Sequence, residues 1–116
     1  MNKYNARAVT LDGYLFASQA EAARYRELKL LERAGKIRGL IVHPRYHLNV
    51  RDVKIGVYEA DFGYVIPEPE TLIVEDVKGV PTPVYRLKKK LVRALYGIEI
   101  TEIDAAQYRT RTRSKR

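Results

Sequence analysis

Cysteine and tryptophan are absent from this 116-residue sequence, methionine occurs once and histidine twice. Without cysteine there is no disulfide framework, no thiol chemistry and no zinc site built on thiolates. With His43 and His47 as the whole complement of imidazoles, a histidine-rich metal site is excluded too. No run approaches the roughly 20 apolar residues a membrane span requires, and the opening Met1-Asn2-Lys3-Tyr4-Asn5 lacks a signal peptide's apolar core. These absences lead to the expectation of a soluble, cytoplasmic protein with no membrane partner. The length suits one domain, burying about two-thirds of its unfolded surface.

Positive charge is what the sequence has in excess: 22 Lys and Arg against 14 Asp and Glu, a formal net charge of +8. The excess is uneven. Residues 1–81 carry 12 basic and 11 acidic side chains, whereas residues 82–116 carry 10 and 3. Such asymmetry is the electrostatic footprint of a polyanion binder, most often of nucleic acid. A solvated basic face kept for solubility is the alternative.

Local patterns divide the chain into elements. Val9, Leu11 and Leu15 around Gly13 suggest a short lead-in hairpin. Ser18-Gln19-Ala20-Glu21 has the spacing of a capping box, and Ala20, Ala23, Leu28, Leu31 and Ala34 keep helical period up to Gly35, so a helix is expected over 18–34. Residues 45–50 and 55–66 are β-branched and aromatic, with a polar turn at Arg51-Asp52. Pro67-Glu68-Pro69-Glu70 reads as a loop, and 72–78 as a central strand buried at its start and reaching solvent at Lys78. Thr82 and Pro83 open a second helix with an apolar stripe of Val84, Leu87, Leu91 and Leu95, ended by Gly97. Residues 98–103 alternate as a half-buried strand. The expected fold is α/β (α+β) with a mixed sheet, in the order αβββαβ. One domain spans 1–103, followed by a basic tail over 104–116.

Asp76-Val77-Lys78 is the most suggestive chemistry. On a strand, residues two apart share a face, so this carboxylate and this ammonium are neighbours. A carboxylate there can hold Mg²⁺, and a lysine beside it can orient water or stabilise a developing phosphate charge. Asp61 lies on the preceding strand among Tyr58, Phe62 and Tyr64, where charge is costly to bury without a compensating cation. A cross-strand salt bridge explains the same residues without catalysis. Glu75, on the opposite face, reads as solvated or salt-bridged, and Glu21 as the capping-box carboxylate that binds the cap residue's backbone N–H.

The combination of Glu21 in the first helix, Asp61 on a middle strand and Asp76-Val77-Lys78 on the next resembles the PD-(D/E)xK nuclease superfamily, over about Ser18 to Ile103. More narrowly, Asn2-Lys3-Tyr4-Asn5-Ala6, Leu28-Lys29-Leu30-Leu31-Glu32, Ala60-Asp61-Phe62, Val74-Glu75-Asp76-Val77-Lys78-Gly79 and Tyr85-Arg86-Leu87-Lys88 resemble a family of small phage-encoded proteins in that superfamily, related to Holliday-junction resolvases. The resemblance implies a restriction-endonuclease-like core and a Mg²⁺-dependent endonuclease, with Mn²⁺ able to substitute. It implies that Glu21, Asp61, Asp76 and the backbone carbonyl of Val77 hold the metal, and that Lys78 assists the attacking water. It also implies branched or four-way DNA as substrate and a homodimer as the working form. Ala60 stands where the superfamily's name-giving proline would be. His43-Pro44 stands where relatives often carry Gln-Pro, and His43 reads as an ordinary strand-edge histidine.

The expected DNA surface is the second helix, where Arg86, Lys89, Lys90 and Arg93 cluster opposite the apolar stripe and Lys88 lies at the boundary, leaning towards the cleft. Arg45 and the tail residues Arg109, Arg111 and Arg113 extend it. Contacts of this kind position a duplex without reading its sequence. Two other readings remain: a general or nicking nuclease without junction preference, and a non-catalytic basic nucleic-acid-binding module.

Overall fold

A computed structural model describes residues 7–109. It opens with the lead-in hairpin, β1 (Val9–Leu11) and β2 (Tyr14–Phe16). Its turn residues Asp12 and Gly13 both have positive φ, as a two-residue hairpin turn of matching twist requires. Ser18 caps helix α1 (Gln19–Arg33), its hydroxyl accepting the Glu21 N–H at 3.1 Å. The helix closes at Gly35, φ 79°, with Lys36 N–H donating to the Leu31 carbonyl and Gly35 N–H to that of Glu32. These are the two bonds of a Schellman stop.

Five strands follow: β3 (Arg38–Val42), β4 (Arg45–Val50), β5 (Val53–Glu59), β6 (Phe62–Pro67) and β7 (Glu70–Lys78). Helix α2 (Pro83–Tyr96), capped by Thr82 and ended by Gly97, leads to β8 (Thr101–Asp104) and a short 3-10 helix, Ala105–Tyr108. The central sheet has the order β3-β6-β7-β8, antiparallel except for the parallel β7–β8 pair. The mixed sheet and the order αβββαβ are therefore present, carried by α1, β3, β6, β7, α2 and β8. The core strands are not all those read from the sequence. The expected strand over 55–66 is cut at Ala60-Asp61, where Ala60 N–H turns to the Pro44 carbonyl and Asp61 N–H to that of Glu75. Its first half pairs with β4 in a hairpin outside the central sheet, turning at Arg51 and Asp52 as expected. The first core strand is β3, which lacks a strong apolar alternation.

Two cores flank the sheet. Phe16, Ala22, Tyr25, Leu28, Phe62, Tyr64 and Val77 pack on the α1 side. Leu48, Tyr58, Ala60, Val74, Tyr85, Val92 and Ile100 pack on the α2 side. Two expectations are corrected here. Strand β7 is exposed at its start and buried from Val74 to Val77, because the tip of the β6–β7 hairpin stands clear of both helices. In α2 the buried residues are Tyr85 and Val92, while Val84, Leu87 and Leu95 are exposed and Leu91 only packs at the margin. The tail boundary also moves: Tyr108 donates to Glu27 of α1, so residues up to 108 belong to the fold. Among the described residues, no helix is long and apolar enough to cross a membrane.

Strand β7 sends Glu75 towards α1, where it is fully buried. Arg24 meets it with two bonds, Nε to Oε1 at 2.7 Å and Nη2 to Oε2 at 2.9 Å, and the Tyr64 hydroxyl adds a third at 2.6 Å. The pairing raises the Arg24 pKa, and holds α1 against the sheet by charge as well as by apolar contact. A buried charge whose partner is removed is strongly destabilising. Arg24→Met is expected to lower unfolding stability by about 3–5 kcal/mol in urea denaturation followed by circular dichroism. Adding Glu75→Gln should recover part of that loss.

Candidate metal centre and nucleic-acid face

The last β6–β7 register pair at this end is Phe62 with Glu75, so Asp76, Val77 and Lys78 run on past β6 and pair only with β8. Asp61 occupies the edge this overhang leaves. Its N–H reaches the Glu75 carbonyl at 3.2 Å and Asp76 Oδ1 at 3.1 Å. Its own Oδ2 accepts the Val77 N–H at 2.7 Å. Each aspartate thus accepts a backbone N–H from the segment that carries the other. The N–H and C=O of a strand residue face the same edge, so the Val77 carbonyl is turned towards Asp61 as well.

Glu21 comes from the first turn of α1. Its carboxylate accepts the Ala17 N–H at 3.2 Å, not the Ser18 N–H that the capping-box reading assigned to it. Glu21, Asp61 and His43 each present a possible ligand atom, and these atoms lie within 4.8 Å of one another. His43 follows β3 directly and was not a site residue in the sequence reading. Its approach depends on β3 pairing with β6, which no local spacing encodes. Asp76 is not one of this trio and meets Asp61 through the Asp61 N–H. Its Oδ2 accepts the Tyr58 hydroxyl and stands 3.8 Å from Lys78 Nζ, which in turn rests 4.1 Å above the Tyr85 ring.

Burial raises the carboxyl pKa of Glu21 and of Asp76, the latter against the opposing pull of the Tyr58 hydroxyl and Lys78. Burial, then the charges of Glu21 and Asp76, push Asp61 up to about 8. Three neighbouring carboxyl groups, all with raised pKa, and one lysine beside Asp76 form the charge pattern that a divalent cation relieves. Glu21, Asp61, Asp76 and the Val77 carbonyl supply oxygen donors that suit Mg²⁺.

On α2, Arg86, Lys89, Lys90 and Arg93 line one surface depression together with Pro81, Glu99 and Glu102. The two glutamates temper it, Glu102 pairing with Lys89 at 2.9 Å and Glu99 with Arg93 at 3.5 Å. Lys88 points elsewhere: its Nζ donates to the Val57 carbonyl at 2.8 Å, tying α2 to the β4–β5 hairpin rather than leaning into the cleft. Tyr85 links the depression to the acidic centre, since its hydroxyl donates to Glu102 at 2.8 Å while its ring carries Lys78. Arg45 is exposed at the start of β4, opposite Glu59, and Arg109 is exposed beyond the 3-10 helix. Arg111 and Arg113 lie outside the described residues.

A family model described as "Protein of unknown function (DUF1064)" matches residues 1–109. No curated protein and no solved structure matches the chain.

The raised carboxyl values have a consequence for stability. Between the unfolded Asp value of 3.8 and a folded value of about 8, the native state holds a proton that the unfolded chain has lost. That contribution is fully present below the unfolded value and is lost as pH rises through the folded one. In chelator, the Asp61 contribution to the melting temperature is expected to fall between about pH 4 and about pH 8, and Asp61→Asn should shrink the fall. Comparing the two proteins by calorimetry at each pH isolates the part of the fall that belongs to Asp61 and the carboxylates that interact with it.

Proposed function

The chain belongs to the DUF1064 family, described as of unknown function, and for it we propose a divalent-metal-dependent endonuclease that hydrolyses DNA phosphodiester bonds, with branched DNA as substrate. The observation that carries this reading is the reciprocal bonding of Asp61 and Asp76. It ties the Asp61 segment to the end of β7, where Asp76 stands beside Lys78, and Glu21 of α1 meets Asp61 at the same edge. Hydrolysing a phosphodiester requires an activated water and relief of charge on the phosphate; a bound Mg²⁺ or Mn²⁺ supplies both. The chain's own share is positional. Asp61, Asp76, Glu21 and the Val77 carbonyl form the cradle, while Lys78, held between Asp76 and the Tyr85 ring, offers its ammonium to the attacking water or the developing charge. Arg86 and Lys90, which make no ion pair among the described residues, are the cations of the α2 depression left to hold phosphates.

Branched-DNA selectivity is supported by the resemblance to junction-resolving nucleases. A symmetric junction needs two cuts, so a two-fold homodimer, the commonest oligomer, would bring two such edges to it. The cytoplasm, that of a host cell for a phage-encoded protein such as the resemblance implies, is the compartment that goes with this reading.

The direct test incubates end-labelled four-way junction, Y-fork, linear duplex and single strand with Mg²⁺ and with EDTA. Symmetric, Mg²⁺-dependent cuts in the junction are expected, with linear duplex spared. Cuts in every substrate would move the reading to a general nuclease, and salt-sensitive binding without cleavage to a binding module. Asp76→Asn and Lys78→Ala should each lower cleavage by about 100-fold or more while junction binding persists in gel shifts.

The α2 surface is tested separately. Arg86→Ala and Lys90→Ala should each weaken DNA binding uniformly across sequences and reduce the salt slope by about 1. Lys88→Ala should leave the slope unchanged and lower the melting temperature, because its bond is internal.

A further inference from the structure

We infer that His43 contributes an imidazole nitrogen to this cation site and makes it prefer a first-row transition ion over Mg²⁺. The inference rests on the metal-site reading above and adds to it the identity of the ion. The possible ligand atoms of Glu21, His43 and Asp61 lie within 4.8 Å of one another. Two donors on opposite sides of one ion, with bonds of about 2.1 Å, stand about 4.2 Å apart. Three atoms at that upper limit would stand about 2.8 Å from a central ion, so the trio closes on one through shifts of less than about 1 Å per side chain.

Independent features fix the imidazole in that place. His43 has φ 58°, a left-handed backbone uncommon for a residue with a side chain. The conformation is held by two bonds to the segment that carries Asp61: His43 N–H to the Asp61 carbonyl and Ala60 N–H to the Pro44 carbonyl, each 2.9 Å. Pro44 lies against Gly63 of β6, and the His43 ring packs against the buried Phe16 ring, 5.8 Å between centroids. An unusual backbone conformation clamped to the main chain at Ala60 and Asp61 is what turns this ring to the acidic edge. Such conformations persist only where the surrounding structure over-determines them.

The chemistry of the donors selects the ion. Mg²⁺ favours oxygen and near-ideal octahedral geometry, whereas imidazole binds transition ions well, with affinity rising from Mn²⁺ towards Cu²⁺. One nitrogen beside two carboxylates favours Mn²⁺ and the later ions at the expense of Mg²⁺. With the nitrogen removed, the all-oxygen set loses that discrimination.

The test measures binding, not cleavage. Mn²⁺ is titrated into the full chain by electron paramagnetic resonance, alone and against excess Mg²⁺, and Mg²⁺ is titrated by calorimetry. Pulsed spectra of the Mn²⁺ form are recorded with natural and ¹⁵N-labelled histidine in a His47→Gln background. Retention of Mn²⁺ against Mg²⁺ is expected, together with a ligand-nitrogen coupling that changes with the label. His43→Gln, which offers oxygen instead, should lose that coupling and weaken Mn²⁺ binding about tenfold or more while Mg²⁺ binding changes little. Mn²⁺ and Mg²⁺ binding without nitrogen coupling would overturn the inference and leave the metal-site reading intact. If no divalent ion binds, both fall. The labelling arm needs no change at His43, so a folding defect in the variant does not decide the result.

Discussion

Two consecutive carboxylates, Glu75 and Asp76, are buried on opposite faces of one strand, and the rest of the molecule is arranged around what offsets their burial. An isolated charge in such a place is strongly unfavourable, so each must be paired, hydrogen-bonded or protonated. The two are treated differently. Glu75 receives a two-pronged guanidinium and a tyrosine hydroxyl, a set that fills its oxygens and fastens α1 to the sheet. Asp76 receives a tyrosine hydroxyl, one backbone N–H and a lysine ammonium at 3.8 Å, while two more carboxylates stand near it. One face of β7 is thus electrically closed and the other is left with surplus negative charge. That difference separates a residue that builds the fold from residues that can take a ligand.

The surplus is located by a mismatch of strand lengths. Because β7 continues past the first residue of β6, the backbone groups of its last residues on that side have no strand to meet. Asp61 meets them with its own N–H and carboxylate, which makes the acidic group part of the sheet's hydrogen bonding rather than a side chain hung over it. A site built this way is rigid before any ligand arrives, and rigidity of the donor set is what turns an acidic cluster into a selective one.

What the sequence made legible was local. Both helices carry their caps, stops and first-turn residues within a few positions, and both have the expected termini. The turn at Arg51-Asp52 and the face-sharing of Asp76 with Lys78 are equally local. The failures are non-local. The break at Ala60-Asp61 contains no glycine or proline, and it exists because two distant carbonyls, of Pro44 and Glu75, capture the backbone there. Strand β3 owes its place to β6, and the position of His43 owes its place to β3. Helix α2 misled for another reason: its buried side is led by a tyrosine and includes a lysine stem, which hydropathy ranks below the leucines left outside. Of the acidic residues, Glu21, Asp61 and Asp76 were named together through the resemblance alone, whereas the burial of Glu75 needed Arg24, 51 positions away, to be seen beside it.

Tyr85 joins the two halves of the functional reading in one side chain. Its ring is buried between α2 and the sheet, its face carries Lys78, and its hydroxyl holds Glu102, which also takes Lys89. The residue that orients the ammonium at the acidic edge therefore also sets the distance from that edge to the basic depression on α2. Glu102 sits in register beside Asp76, so the same parallel β7–β8 pairing that buries the carboxylate brings the first of these cations alongside it. A phosphate backbone laid along α2 would be referenced to the acidic centre through the packing of this one aromatic ring, not through a loop. For a chemistry whose rate depends on placing a phosphorus atom within a fraction of an ångström, a buried, doubly bonded ring is a better reference point than any of the exposed side chains around it.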